Sequence, residues 1–158
     1  MKYTGSTDAE GQTAARPGAK KFVEIMNKKW GFSNLGIYAN RPMRGSTRLS
    51  VHATGRALDI GIPTKKQKDD KWVGEIFDWL VKNYETLGIE EVHQYWYKDW
   101  GRGFRCNRNG KPGVKEWTAT ENGGTAGGKW LHVELSPEFA DDEAKLVAAW
   151  KSIAEKPA

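Results

Sequence analysis

Two apolar periods alternate along the chain, and they constrain what it can fold into. From Gly18 to Trp30, the residues Phe22, Ile25, Met26 and Trp30 fall three and four apart, which is one face of a helix. The clearest helix is predicted over 70–87, where Trp72, Ile76, Phe77, Leu80, Val81 and Tyr84 form a continuous stripe. Asp69 or Asp70 can cap its start, and Gly88 suits a left-handed stop. A third helix, built on Leu146, Val147, Trp150 and Ile153, is expected over 141–154. Between these stretches the period falls to two. Ala57–Gly61 and Trp130–Leu135 alternate as strands, and Leu35–Ala39 and Val92–Tyr97 read as two more. Residues 101–128 read as a glycine-rich loop with turn signals at 107–110 and Gly123-Gly124. The expected fold is α+β: a single small domain with an antiparallel sheet and helices packed around it.

A chain of 158 residues with 38% hydrophobic content is lean for one core, but it carries eight tryptophans. Each of these buries on the order of 150–250 Å². Residues 1–17, rich in Gly, Thr, Ser and Ala, read as a flexible lead-in, and 18–158 as the domain. The net charge of +5 favours an anionic partner. The basic residues are scattered and not interleaved with aromatics, so a nucleic-acid partner is not expected. One cysteine, Cys106, excludes an internal disulfide and a multi-cysteine metal site. No run approaches the roughly 20 apolar residues of a membrane span, and residues 1–15 lack a signal-peptide core. The chain is therefore expected to be made in a cytoplasm, without membrane insertion, as a monomer.

Only three histidines are present, so each can be weighed. In the segment Ser50-Val51-His52-Ala53-Thr54-Gly55-Arg56-Ala57-Leu58-Asp59-Ile60, His52 precedes a turn and Asp59 lies within a strand. Leu58 and Ile60 would point to the core, while Ala57, Asp59 and Gly61 share the other face. Imidazole and carboxylate suit zinc, but a hydrogen-bonded His–Asp pair on a surface loop fits the same residues. In Lys129-Trp130-Leu131-His132-Val133-Glu134-Leu135, the period of two puts Trp130, His132 and Glu134 on one face. That face is either a lined cleft or the solvent side of an edge strand. Three protein ligands would leave a fourth tetrahedral position open, the mark of a catalytic zinc.

The stretch Ser50–Asp59 resembles the S-x-H-x-x-G-x-A-x-D signature of the D-Ala-D-Ala carboxypeptidase/L-Ala-D-Glu endopeptidase family. That family belongs to the Hedgehog/DD-peptidase zinc superfamily and includes many phage endolysins. The Trp-Leu-His-Val-Glu run is similar to its second motif, and Leu87–Val92 resembles the strand before it. The likeness spans roughly residues 20–136. It implies Zn²⁺ held by His52, Asp59 and His132, and hydrolysis of a peptide bond in a peptidoglycan stem peptide or cross-link. It also implies an arginine upstream of the first motif that steadies substrate or oxyanion; Arg41 fits that place best, with Arg44 in reserve. Either could equally be a solvated loop cation.

The catalytic base departs from the family pattern. Many members carry an acid or histidine two or three residues before the last zinc ligand, where this chain has Trp130 and Lys129. Glu134, on the same strand face as His132, is the first candidate. His93, on a neighbouring predicted strand, is the second, and Glu121 is a more distant one. Two functions follow as expectations. One is a bacteriolytic, endolysin-like metallopeptidase that reaches the wall after holin-type release. The other is a degenerate zinc-bearing wall-binding or virion structural module. Trp96, Trp100, Trp117 and Trp130 are the aromatics available to line a groove.

Overall fold

The computed structural model describes residues 1–154. A six-stranded, wholly antiparallel sheet is ordered β1-β2-β6-β3-β4-β5. Its strands are β1 (Ser33–Gly36), β2 (Ala57–Gly61), β3 (Ile89–Gln94), β4 (Arg102–Arg108), β5 (Lys111–Glu116) and β6 (Trp130–Leu135). Five helices accompany it: α1 (Pro17–Trp30), α2 (Asp70–Lys82), α3 (Tyr84–Leu87), α4 (Pro137–Asp141) and α5 (Glu143–Ala154). The α+β class and the antiparallel sheet are as the two apolar periods require.

Local chemistry explains the main boundaries. Pro17 opens α1, where its missing N–H costs nothing. Asp69 caps α2 by accepting the Trp72 N–H at 2.9 Å. The stripe expected over 70–87 is broken at Asn83, so it forms two helices, α2 and α3. The strand expected at 35–39 lies two to three residues earlier, as β1, and the one expected at 92–97 begins at Ile89. The larger correction concerns 101–128. Its first half is the hairpin β4–β5, turned by Asn109 and Gly110 at φ 54° and 88°. Two consecutive positive φ angles are the two-residue turn that Asn-Gly favours.

One face of the sheet is mainly apolar. Leu58, Ile60, Leu131, Val133, Val92 and Phe104 pack there against Phe22 and Met26 of α1 and Val73, Phe77 and Leu80 of α2. Leu146 of α5 joins this core, and the free Cys106 is buried in it. The opposite face is polar, and the antiparallel register sorts it into rows. Asp59, His132 and His93 stand side by side across β2, β6 and β3. Ala57, Glu134, Glu91 and Arg105 form the next row.

The opening segment, expected to be mobile, packs against this polar side. Tyr3 donates to Glu91 at 2.9 Å, and Thr4 donates to Glu90 through its N–H and its hydroxyl. Asp8 pairs with Arg16 and Arg56. No helix among the described residues is long and apolar enough to cross a membrane.

Candidate metal centre

The 3₁₀ turn Val51–Thr54 presents His52. Ser50 caps the turn by accepting the His52 N–H at 3.3 Å, and Gly55 closes it in the left-handed region. Gly55 then gives way to β2, whose period carries Asp59 onto the polar face beside His132 of β6. One ligand atom each from His52, Asp59 and His132 lies within 4.8 Å of the others, so the group can hold a metal ion. These are the three residues that the sequence brought forward as ligands.

Hydrogen bonding fixes how each ring is presented. His52 Nδ1 lies 2.9 Å from the Ile37 carbonyl oxygen, which only accepts, so Nδ1 carries a proton. Nε2 is then left facing Asp59 Oδ2 at 3.3 Å. His132 faces carboxylates on both edges: Asp59 Oδ1 at 2.9 Å from Nδ1 and Glu134 Oε1 at 3.0 Å from Nε2. Two lone pairs turned toward one carboxylate require a cation between them, either a proton or a metal ion. A proton on His132 can meet that requirement. Burial would lower the His132 pKa, but Asp59 and Glu134 outweigh it and raise it to about 10. Burial would raise the Asp59 pKa, yet the two imidazoles hold its carboxyl well below the ordinary range.

The centre lies in a cleft of about 380 Å³. Arg41 and Arg44 line its mouth, and both are exposed. Arg44 donates to the Gly123 carbonyl at 3.1 Å, tying the 41–50 loop to the 118–128 loop. Among the described residues, Arg41 donates only to the carbonyl of its neighbour Pro42, at 3.5 Å. Of the four tryptophans named from sequence, Trp117 and Trp130 line the cleft. Glu121 stands at the rim, engaged by Lys115 and by Thr118, which hold its carboxyl down to about 2.

His93 lines the cleft with its ring stacked on that of His132, centroids 5.0 Å apart. Its Nε2 lies 2.9 Å from Glu91 Oε1, and its Nδ1 lies 3.2 Å from the Tyr95 hydroxyl. Glu91 also accepts from Tyr3 and from Arg105, whose guanidinium stacks on the Tyr3 ring. Sequence reasoning overlooked Glu91, Tyr95 and Arg105 as parts of the site. The first two were within reach, because the strand period puts them two residues either side of His93 on the same face. Arg105 and Tyr3 join only through the hairpin and the packed N-terminal segment.

Neither the curated proteins nor the solved structures offer a match to this chain. A family model does: the one described as VldE, C-terminal domain, matches residues 11–125, well over half of the 158. The match takes in the His52 turn, Asp59, His93 and the β4–β5 hairpin, and it stops short of His132. The chain belongs to the VldE C-terminal domain family.

Proposed function

We propose that the chain is a zinc-dependent peptidase that hydrolyses peptide bonds in bacterial cell-wall stem peptides or cross-links, in the manner of an endolysin. The observation that carries this reading is the geometry of the two imidazoles. Each is anchored at one nitrogen by a protein acceptor and turns the other toward Asp59, at the floor of an open cleft. A mixed nitrogen and oxygen donor set with three protein ligands suits a catalytic zinc better than a closed structural one. A zinc ion held there would supply Lewis acidity toward a scissile carbonyl and toward water.

The residues around the centre have separable tasks. His93 is the proton shuttle: Glu91 anchors its Nε2, and its Nδ1 is directed to the Tyr95 hydroxyl on the cleft side. Arg41 and Arg44 offer positive charge at the mouth for a substrate carboxylate or a developing oxyanion. Trp117 and Trp130 give flat walls for an extended peptide. A second reading, a metal-bearing wall-binding module without turnover, is favoured by one observation. The carboxylate of Glu134 is occupied by His132 and is withdrawn from the cation-facing side.

The test measures zinc stoichiometry and the release of new amino termini from purified peptidoglycan, for wild type and Asp59→Asn. One zinc per chain with turnover is expected in the wild type. Asp59→Asn should weaken zinc binding by more than about 100-fold, since a direct ligand should matter more than its supporting partners. Zinc binding without new amino termini would favour the binding module. Undiminished hydrolysis in Asp59→Asn would overturn the metal assignment.

A further inference from the structure

Glu134 follows His132 by two residues on β6, and the strand period alone makes it a candidate to accept a proton from water at the centre. Its contacts describe a different task. Glu134 Oε1 lies 3.0 Å from Nε2 of His132, whereas Asp59 lies 2.9 Å from Nδ1. The two nitrogens occupy different edges of the imidazole, so Glu134 stands behind the ring as viewed from Asp59 and His52. The residue is 3% exposed. Its second oxygen, Oε2, is buried without a hydrogen-bond partner among the described residues. Facing it across β3, Glu91 takes the guanidinium of Arg105 and the phenol of Tyr3, so neither reaches Glu134 as a partner. Across β2 stands Ala57, too small to offer a contact of its own.

We propose that Glu134 is a positioning residue for the metal centre and not its proton acceptor. It keeps the proton of His132 on Nε2 and fixes the plane of the ring, which leaves the Nδ1 lone pair for a cation shared with His52 and Asp59. The Ile37 carbonyl does the same for His52 from the opposite direction, keeping its proton on Nδ1 and freeing Nε2. The two ligands thus coordinate through different nitrogens, each determined by the partner behind it. A buried carboxylate accepts more strongly than a carbonyl and makes the ring a better donor to a metal. Apart from His132 itself, no cationic side chain among the described residues bonds the buried Glu134 carboxylate, and an ion on the far side of that ring would share in balancing its charge. This proposal rests on the metal reading of the preceding section.

Chelator-competition titration of zinc into the full chain tests it, with wild type, E134Q, E134A and H132A compared. Glutamine keeps an oxygen that can accept the Nε2 proton. E134Q should therefore hold zinc within a few-fold of wild type, and its hydrolysis at saturating zinc should stay within about tenfold. E134A should weaken zinc by about 10–100-fold, the usual effect of losing a partner behind a ligand. An E134A protein that binds zinc as tightly as wild type overturns the proposal. So does an E134Q protein that binds zinc normally but loses about 100-fold or more of its turnover, the range expected for a lost acid/base group. Nitrogen-15 NMR of the zinc-loaded wild type removes any dependence on variants that fail to fold. His132 should be protonated at Nε2 and metal-bound at Nδ1, and the reverse assignment sinks the idea. Failure of the wild type to bind zinc, with H132A no different, would instead sink the metal reading itself and this proposal with it.

Discussion

Gly55 links the two ligands of the first motif, and its role is set by the neighbouring backbone as much as by its own conformation. Its φ is +73°, and a Cβ at this position would overlap the carbonyl oxygen of Ala14. The segment before α1 runs directly over the turn and is fastened there by the Arg16 N–H, which donates to the Gly55 carbonyl at 2.8 Å. A side chain would meet fixed backbone on one side and left-handed strain on the other. Gly55→Ala should therefore cost about 2–4 kcal/mol of stability, combining strain with overlap. It should also displace His52 and weaken metal binding. Gly110, at φ +88° with nothing near its absent Cβ, is the control. Gly110→Ala should cost only about 1 kcal/mol. Urea denaturation of both variants checks the difference, and equal losses would show that the approach of Ala14 carries no weight.

At the scale of elements, the N-terminal segment is held by a buried ionic group. Arg56 is fully buried, and its guanidinium meets Glu90, Asp8 and the backbone carbonyls of Gly5 and Leu135. Glu90 is buried as deeply and also receives Thr4. Removing one partner from such a group strands the others without water. Glu90→Ala should thus destabilise the fold by about 3–5 kcal/mol. Asp8→Ala should cost less, because Asp8 keeps a quarter of its side-chain surface in solvent. Thermal denaturation of the two variants measures the order, and a larger loss in Asp8→Ala would reverse the account. None of these ties was legible in the sequence, since they join a polar, turn-rich N-terminal segment to residues about 50 to 90 positions away. By contrast, β2 and β6 were read correctly because Leu58, Ile60, Leu131, Val133 and Leu135 face a continuous core and keep strict alternation. β5 was missed for the converse reason. It is an edge strand, Lys-Pro-Gly-Val-Lys-Glu, with almost every residue exposed and no apolar face to reveal its period. The Asn109-Gly110 signal was visible, but without alternating flanks it read as a turn in a loop and not as a hairpin. The three candidate ligands were legible because they lie in or beside the two best-patterned strands. Of the partners that orient them, Glu134 was in view on the strand face of His132 but read as a base, and the Ile37 carbonyl behind His52 was not in view.

Taken as a whole, the molecule buries a cluster of ionisable groups on one face of a sheet whose other face is mainly apolar, and this should govern its behaviour in acid. Glu91 is the hub of that polar face, nearly inaccessible to solvent and bonded to His93, Arg105 and Tyr3. Burial alone would raise its pKa, but the charge of His93 and Arg105 and the bonds from His93 and Tyr3 bring it down to about 2 from the ordinary 4.5. With the folded-state pKa below the unfolded one, the folded chain binds fewer protons than the unfolded chain across this window. The stabilisation is therefore complete above pH 4.5 and is lost as pH falls toward 2. Its size is about 3 kcal/mol. Asp59 should add a loss of the same sign, since its carboxyl is held low by the two histidines. Comparison with Glu91→Gln separates the two contributions, because the variant removes one titrating group and leaves Asp59 in place. The stability gap between wild type and Glu91→Gln should be widest above pH 5 and should shrink steadily through the acid window, as followed by urea denaturation at stepped pH. A gap that stays constant from pH 5.5 to 2.5 would mean that Glu91 holds the polar face together by shape and hydrogen bonding alone, and that its charge contributes nothing.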